Sequence, residues 1–262
     1  MAVVEVPAGG AGARLPLVLL HAFPVSSAMW ADQVAELSGL ATVLTPDQRG
    51  FGGRPLGGDE PSLDHVADDV AALLDRDGLD DVVLGGLSMG GYVAMAFLRR
   101  HPGRVRALLL ADTKATADPP PAHEKRLAMA ERLDREGTSD VLVEAVLPGL
   151  TGATTARDRP EVSARVRAMV EAAPAAGAAW AQRAMAARPD SLGTLREVRV
   201  PTLVVRGDED GLSSADDVAA MAAALPDGRL VTLPGAGHLS NLEVPGAFNR
   251  TVADFLAALA TR

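Results

Sequence analysis

Ser88 is the residue of this sequence best suited to act as a nucleophile. It is the centre of Gly-Leu-Ser-Met-Gly at positions 86–90, after a strand-like run at 81–85 and before a helix-like run at 92–98. A serine at so sharp a strand-to-helix turn takes a strained backbone conformation, and glycine two residues to either side relieves the crowding. The pattern predicts a nucleophile elbow, with a plain glycine-rich βα turn as the alternative.

A serine hydroxyl needs a base to take its proton and a third group that holds the base in the right tautomer. Of the five histidines, His238 lies in a glycine-rich loop at 233–241, between the last strand-like run and the final helix-like run. Loops at strand ends are where catalytic side chains are usually presented. His101 and His123 lie at predicted helix ends and are expected at the surface. The sequence therefore favours His238 as the base.

Three carboxylates, Asp208, Glu209 and Asp210, follow the strand-like run at 200–206. Asp210 is our choice for the orienting acid, and a solvated acidic turn is the alternative interpretation. The chain order Ser88, Asp210, His238 is the nucleophile, acid, base order of one class of serine hydrolase.

The composition, with 48% hydrophobic and 23% charged residues, is ordinary for a globular protein, and at 262 residues we expect one domain with an insertion. A formal net charge of −9 disfavours nucleic acid or an anionic membrane as partner. No apolar run has the length of a membrane span, and the first residues lack the pattern of a secretory signal, so we expect a cytoplasmic protein. Because cysteine is absent, chemistry must come from Ser, His, Asp and Glu.

Short apolar runs alternate with longer segments of helical period, as expected for parallel strands joined by crossover helices. The runs are continuously hydrophobic, which suits strands covered on both faces. We therefore predict an α/β fold with a mostly parallel central sheet and helices on both faces. The predicted strands are residues 15–20, 41–45, 81–86, 105–111, 200–206 and 229–233, with a weaker one at 2–6.

From about residue 114 to 198 the strand signal disappears, and alanine-rich segments punctuated by proline predict helices at 122–136, 138–147, 160–173, 175–187 and 190–197. We expect residues 1–113 and 199–262 to form the core and residues 114–198 a helical lid over the carboxyl ends of the strands. A merely structural excursion is the alternative. Outside this insertion, a helix after Ser62 and a last helix at 246–260 are predicted.

These residues and motifs resemble the α/β-hydrolase family over nearly the whole chain. His-Ala-Phe-Pro at 21–24 is similar to the family's His-Gly-x-Pro oxyanion turn, and residues 47–52 are similar to its Asp-x-Arg-Gly-x-Gly turn. Gly207-x-x-Asp210 and Gly237-His238 match the acid and base motifs.

The resemblance implies that the backbone N–H groups of Phe23 and Met89 form the oxyanion hole and that His21 supports this turn. It also implies that Asp210 rather than Asp208 is the acid. Asp112, at the end of the strand-like run at 105–111, is the fallback, because some family members carry the acid there.

We predict a serine hydrolase that cleaves a small carboxylic ester or lactone through an acyl-enzyme on Ser88, as a monomer or small homo-oligomer. Residues 86–91 and 237–243 look similar to the enol-lactone hydrolase and aryl-esterase branches of the family. No metal or organic cofactor is expected, because no metal or dinucleotide motif is present. The candidate substrate-binding residues are Trp30, Leu150, Trp180, Met185 and Leu239.

Two other functions remain compatible with the sequence. The same fold and triad occur in cofactor-free perhydrolases and lyases, so the fold does not decide the reaction. A receptor with a hydrolase-like pocket for a small lactone is the less favoured alternative.

Overall fold

The central sheet has the strands that the sequence predicts. A computed structural model describes residues 14–261, and the predicted strand at 2–6 lies outside them. The strands are β1 (Leu15–Leu20), β2 (Ala41–Leu44), β3 (Val82–Leu87), β4 (Val105–Ala111), β5 (Thr202–Gly207) and β6 (Gly228–Leu233). The six predicted runs are confirmed to within two residues at each end.

The six strands form one sheet in the order β2-β1-β3-β4-β5-β6, and every neighbouring pair is parallel. All carboxyl ends therefore lie along the same edge. β3, near the middle, is buried along its whole length, whereas most residues of the edge strand β6 are exposed. The continuous hydrophobicity of the central runs thus reflects helices packed on both faces.

Helices connect the strands and cover the sheet. They are α1 (Ala31–Leu37), α2 (Leu63–Arg76), α3 (Met89–Arg100), α4 (Pro120–Glu136), α5 (Asp140–Ala145), α6 (Ala153–Asp158), α7 (Pro160–Glu171), α8 (Ala175–Ala186), α9 (Leu192–Glu197), α10 (Ala215–Ala224), α11 (Ser240–Glu243) and α12 (Pro245–Ala260). The helix predicted after Ser62 is confirmed as α2, where the Ser62 hydroxyl accepts the N–H of Asp64. The predicted last helix is confirmed as α12.

Between β4 and β5 the described chain forms only helices, α4 to α9, and we call residues 112–201 the helical segment. Its five predicted helices are found, but α6 was not predicted. The reason is tertiary: the N–H of Thr154, in the first turn of α6, donates to the side chain of Glu209 at 2.8 Å. The cap of this helix is therefore supplied from another part of the chain.

The helical segment touches the rest of the molecule through close glycine contacts. A Cβ on Gly177 of α8 would collide with the carbonyl of Gly50, and a Cβ on Gly237 would collide with the N–H of Gly152. Glycine permits such an approach because it has no side chain. The helical segment thus packs closely against two turns near the carboxyl edge of the sheet.

No helix within residues 14–261 combines the length and the apolar character that crossing a membrane would require.

Candidate active site

The predicted site residues lie along the carboxyl edge of the sheet. Ser88 follows β3 directly, Asp210 lies in the loop after β5, and His238 lies in the loop after β6. The turn that contains Phe23 follows β1. Open parallel sheets bind their ligands at this edge, because loops from neighbouring strands converge there.

Ser88 has the strained backbone that the sequence predicts. Its φ of 54° lies in the left-handed region, which non-glycine residues rarely adopt. The conformation is held by hydrogen bonds, since the Ser88 N–H donates to the Ala111 carbonyl at 3.0 Å and the Ser88 carbonyl accepts the Gly91 N–H at 2.9 Å. A Cβ on Gly86 would collide with the carbonyl of Gly90. The turn therefore requires small residues beside the serine.

Ser88, His238 and Asp210 form a hydrogen-bonded row. Ser88 Oγ lies 2.7 Å from His238 Nε2, and His238 Nδ1 lies 3.0 Å from Asp210 Oδ1. The imidazole and the carboxylate are buried, whereas Ser88 is only partly buried. Since Asp210 accepts at Nδ1, the imidazole carries its proton there and presents the Nε2 lone pair to the Ser88 hydroxyl.

The charge of Asp210 controls the protonation of His238. Burial alone would lower the pKa of His238, but the charge and hydrogen bond of Asp210 outweigh it and raise this pKa above its ordinary value. Asp112 and Glu243 add smaller effects in the same direction. In return, His238 holds the pKa of Asp210 below its ordinary value, although burial opposes this.

Asp210 is the carboxylate that contacts the imidazole among the four acids considered from the sequence. Asp208 accepts the N–H of Gly235 at 2.7 Å, and Glu209 binds Thr154. Asp112 accepts the N–H of Gly207 at 2.8 Å instead of contacting the histidine. Within the described residues, the geometry thus agrees with the choice of Asp210.

The turn after β1 is held rigidly by buried groups. His21 Nε2 accepts the N–H of Gln48 at 2.9 Å, so its Nδ1 carries the proton and donates to the Ala22 carbonyl at 2.9 Å. Burial lowers the pKa of His21 to about 4, against smaller opposing effects of this carbonyl and of Asp47. On the other side, the sulfur of Met29 accepts the N–H of Ala22 at 3.2 Å. A neutral His21 therefore supports the turn.

The two N–H groups expected to form an oxyanion hole are free. Neither Phe23 nor Met89 donates its N–H to an acceptor within residues 14–261. Met89 is the first residue of α3, so its N–H is also one of the unpaired donors of a helix N-terminus. Both groups are therefore available to a ligand oxygen.

A cavity of about 420 Å³ lies between the turn after β1 and the helical segment. Its walls are mainly apolar, and their residues include Pro24, Val25, Phe51, Met169, Ala172 and Pro174. The size is that of a small-molecule pocket. Pro24 follows Phe23 in the chain, but the side chains of the triad and the residues Phe23 and Met89 are not part of this lining.

The five candidate substrate-binding residues lie outside the lining of this cavity. Trp30 is fully buried, with its ring centroid 6.1 Å from that of Phe248, and Leu239 is also fully buried. Trp180 donates its indole N–H to the Asp59 carbonyl at 3.0 Å.

The other two candidates are also packed in the interior. Leu150 accepts the N–H of Leu239 at 3.2 Å through its carbonyl, and the sulfur of Met185 accepts from Arg126 at 3.5 Å. Substrate contact by any of the five residues stays a prediction.

Sequence reasoning gave no role to Glu243, which is buried beside the site. One carboxylate oxygen accepts the N–H of Gly152 in the helical segment at 2.8 Å, and the other accepts the N–H of Leu239 at 3.1 Å. Glu243 therefore ties the helical segment to the residue after His238. No local pattern signals this role, because both partners of the carboxylate are backbone groups, which carry no sequence signature.

Within the part of the chain that the structure describes, no group of three or more His, Cys, Asp or Glu side chains is arranged to hold a metal ion.

Comparison with known proteins identifies the family. The model of the alpha/beta hydrolase fold family matches residues 16–245, so the chain belongs to that family. It is similar to a thermophilic esterase from Thermogutta terrifontis, whose structure has malate bound, with 40% identity over 95% of this chain and 91% of the other and a TM-score of 0.91.

Two similar proteins are enol-lactonases. The enol-lactonase of Burkholderia xenovorans is 32% identical, with 94% of this chain and 92% of the other covered and a TM-score of 0.85. The 3-oxoadipate enol-lactonase 2 of Acinetobacter baylyi is 26% identical over 93% of this chain and 89% of its own length. The protein is thus an α/β-fold hydrolase with esterase and lactonase relatives.

Proposed function

We propose that the protein is a serine hydrolase that cleaves a small carboxylic ester or lactone through an acyl-enzyme on Ser88. The observation that carries this proposal is the row of Ser88 Oγ, the His238 imidazole and the Asp210 carboxylate, with separations of 2.7 Å and 3.0 Å. A hydroxyl within hydrogen-bond reach of a base that a buried carboxylate orients is the arrangement needed for nucleophilic catalysis.

In the first half of the reaction, His238 Nε2 takes the proton of Ser88 as Oγ attacks the carbonyl carbon. The tetrahedral intermediate then collapses, and His238 gives the proton to the leaving alkoxide, which departs as an alcohol. In the second half, His238 takes a proton from water, the hydroxide attacks the acyl carbon, and Ser88 recovers its proton. For a lactone the alcohol remains part of the acid product.

The free N–H groups of Phe23 and Met89 would stabilise the negative oxygen of each tetrahedral intermediate. Fixed donors aimed at such an oxygen are worth about a hundredfold or more in turnover. The Met89 N–H adds the positive end of the α3 dipole at the same point.

The apolar cavity supports a small substrate with a hydrophobic portion. Its volume of about 420 Å³ suits a ligand of modest size, and its lining offers mainly dispersion contacts. The esterase and enol-lactonase relatives favour esters and lactones over other acyl compounds. In this proposal the helical segment acts as the lid that closes over the substrate.

The test is a turnover screen of the purified protein against aryl esters, aliphatic esters and lactones, with Ser88→Ala as the matched variant. We expect hydrolysis of at least one ester or lactone, and a loss of at least about a thousandfold in Ser88→Ala with an unchanged melting temperature. A serine-directed organophosphorus reagent should label Ser88 alone, as read by peptide mass spectrometry. Equal turnover by Ser88→Ala, or label on another residue, would contradict the mechanism.

A further inference from the structure

Asp112 is a buried carboxyl that the proposed mechanism does not use. It is fully buried at the end of β4, and its φ of 43° lies in the left-handed region. Asp can adopt this region, but the conformation costs free energy and persists only where surrounding contacts enforce it. The Asp112 N–H donates to the Val205 carbonyl at 2.9 Å, which holds this backbone against β5.

The two oxygens of Asp112 bind two different loops. Oδ1 accepts the N–H of Gly207 at 2.8 Å, and Gly207 is the last residue of β5, three residues before Asp210. Oδ2 accepts the hydroxyl of Ser240 at 2.5 Å, and Ser240 stands two residues after His238. One side chain therefore spans the loop of the acid and the loop of the base.

We propose that Asp112 is a positioning residue that sets the separation between the Asp210 carboxylate and the His238 imidazole. This inference rests on the proposed function, because it assigns a role within the same triad. Asp210 Oδ1 accepts the N–H groups of Leu212 at 2.8 Å and Ser213 at 3.2 Å, so its own loop sets the direction of the carboxylate. Asp112 holds Gly207, the last residue of β5, and thereby fixes where that loop leaves the sheet.

The charge of Asp112 also affects the pKa of the base, His238. The titratable groups that act on Asp112 are Asp210 and His238, and Glu243 also raises the pKa of His238. Burial, reinforced by the charge of Asp210, raises the pKa of Asp112 to about 7. Because a carboxyl with this pKa is partly protonated near pH 7, its charge stabilises the protonated imidazole only in part, so removing this charge should move the acid limb of the rate profile to lower pH by a small amount.

Three variants separate these roles. Asp112→Asn keeps the shape and tolerates the left-handed backbone but removes the charge. Ser240→Ala removes the hydroxyl bond and leaves the longer bond of 3.4 Å from the Ser240 N–H, whereas Asp112→Ala removes all three hydrogen bonds that the Asp112 side chain accepts within residues 14–261. Leu74→Ala is the control for lost stability, because Leu74 is a fully buried core residue of α2, remote from the triad along the chain.

The measurements are kcat, KM and the pH profile on an aryl ester, with the rate of Ser88 labelling by the organophosphorus reagent. We expect Ser240→Ala to lower kcat and the labelling rate severalfold and Asp112→Ala by on the order of a hundredfold, with KM unchanged. Asp112→Asn should shift the acid limb downward, and Leu74→Ala should alter neither kcat nor this limb. If Asp112→Ala fails to fold, Ser240→Ala and Asp112→Asn still test whether Asp112 positions the triad.

Two outcomes are distinguishable. Wild-type protein that is not labelled at Ser88 would contradict the proposed function itself. Normal labelling of the wild type, together with wild-type kcat in Ser240→Ala and an unshifted profile in Asp112→Asn, would overturn only the role of Asp112.

Discussion

At the scale of single residues, the proposed mechanism depends on how His238 is protonated. The imidazole must be neutral to accept the proton of Ser88, yet Asp210 stabilises its charged form. The carboxylate therefore orients the base and helps it hold a proton during the reaction, while it also raises the pH at which the base becomes available.

We expect kcat/KM to fall on the acid side as His238 becomes protonated. Because the pKa of His238 is raised, the midpoint should lie above the ordinary histidine value of about 6.5. The measurement is the pH dependence of ester hydrolysis from pH 4 to 9. In the Asp210→Asn variant the residual rate should be lower by orders of magnitude and its midpoint should lie at lower pH. A rate that stays constant down to pH 4 would exclude His238 as the base.

At the scale of elements, close backbone packing in the turn between β3 and α3 fixes the position of Ser88. Its two glycines are required for different reasons: Gly86 faces the carbonyl of Gly90, and Gly90 faces the carbonyl of Leu20 on β1. Both neighbours are backbone atoms, which cannot move aside as a flexible side chain can. The close packing that results places Ser88 at the carboxyl edge of the sheet.

Gly86→Ala should therefore destabilise the protein by about 3 kcal/mol or more and lower activity in the fraction that still folds. Gly39→Ala is the matched control, because a Cβ there meets nothing within 4 Å. The control should be neutral or stabilise by up to about 1 kcal/mol. Urea unfolding curves measure both effects, and equal stability of the two variants would refute the steric argument.

The cavity also results from the packing of elements, because it lies between the turn after β1 and α7. Met169→Trp adds bulk to a lining residue, so KM for esters with a large apolar group should rise about tenfold or more, while kcat for an acetate ester should change little. Leu127→Trp, on the exposed face of α4, serves as the control. If both variants keep the KM of the wild type, the cavity does not hold the substrate.

At the scale of the whole molecule, an ionic cluster around the buried carboxylate of Asp118 lies within the helical segment and contacts the core through Arg188. Asp118 binds the guanidinium of Arg188 at 2.6 Å and that of Arg126 at 2.5 Å, and Lys114 lies 3.3 Å away. Arg188 also stacks over the ring of Tyr92 on α3, 4.1 Å from its centroid. The cluster therefore couples the packing of the helical segment to the helix that begins beside Ser88.

Asp118→Asn should lower the free energy of unfolding at neutral pH by about 3 kcal/mol, because it leaves the buried guanidinium of Arg188 without its counter-ion. Burial opposes ionisation, but Arg188 and Arg126 outweigh it and hold the pKa of Asp118 far below its usual range. A lowered carboxyl pKa gives stability that is complete above the unfolded-state value of about 4 and is lost as the pH falls. The difference from wild type, measured by urea unfolding, should thus shrink below pH 4.

The control for this cluster is Asp158→Asn, which removes an ion pair with Arg157 whose side chains are 50% and 70% exposed. Such an exposed pair contributes little to stability, because water and salt screen it. If Asp158→Asn costs as much as Asp118→Asn, burial is not what gives the cluster its strength.

Much of this architecture could be predicted because it is encoded locally. Continuous apolar runs mark the six strands, and the glycines around Ser88 mark a turn that few other residues can form. The short helices α1, α6, α10 and α11 were not predicted. In α6 the stabilising group is Glu209, which lies 55 positions away in sequence from Thr154. A window of neighbouring residues does not contain that information.

The sequence by itself determined the fold class and the chain order of Ser88, Asp210 and His238, because backbone sterics and hydrophobic periodicity act over a few residues. Only the tertiary structure decided which acid contacts the imidazole and that Asp112 spans both loops. It also decided that the cavity is lined by Phe51 and Met169 rather than Trp30. Apolar residues look alike in sequence whether they fill a core or face a pocket, and only long-range packing separates the two.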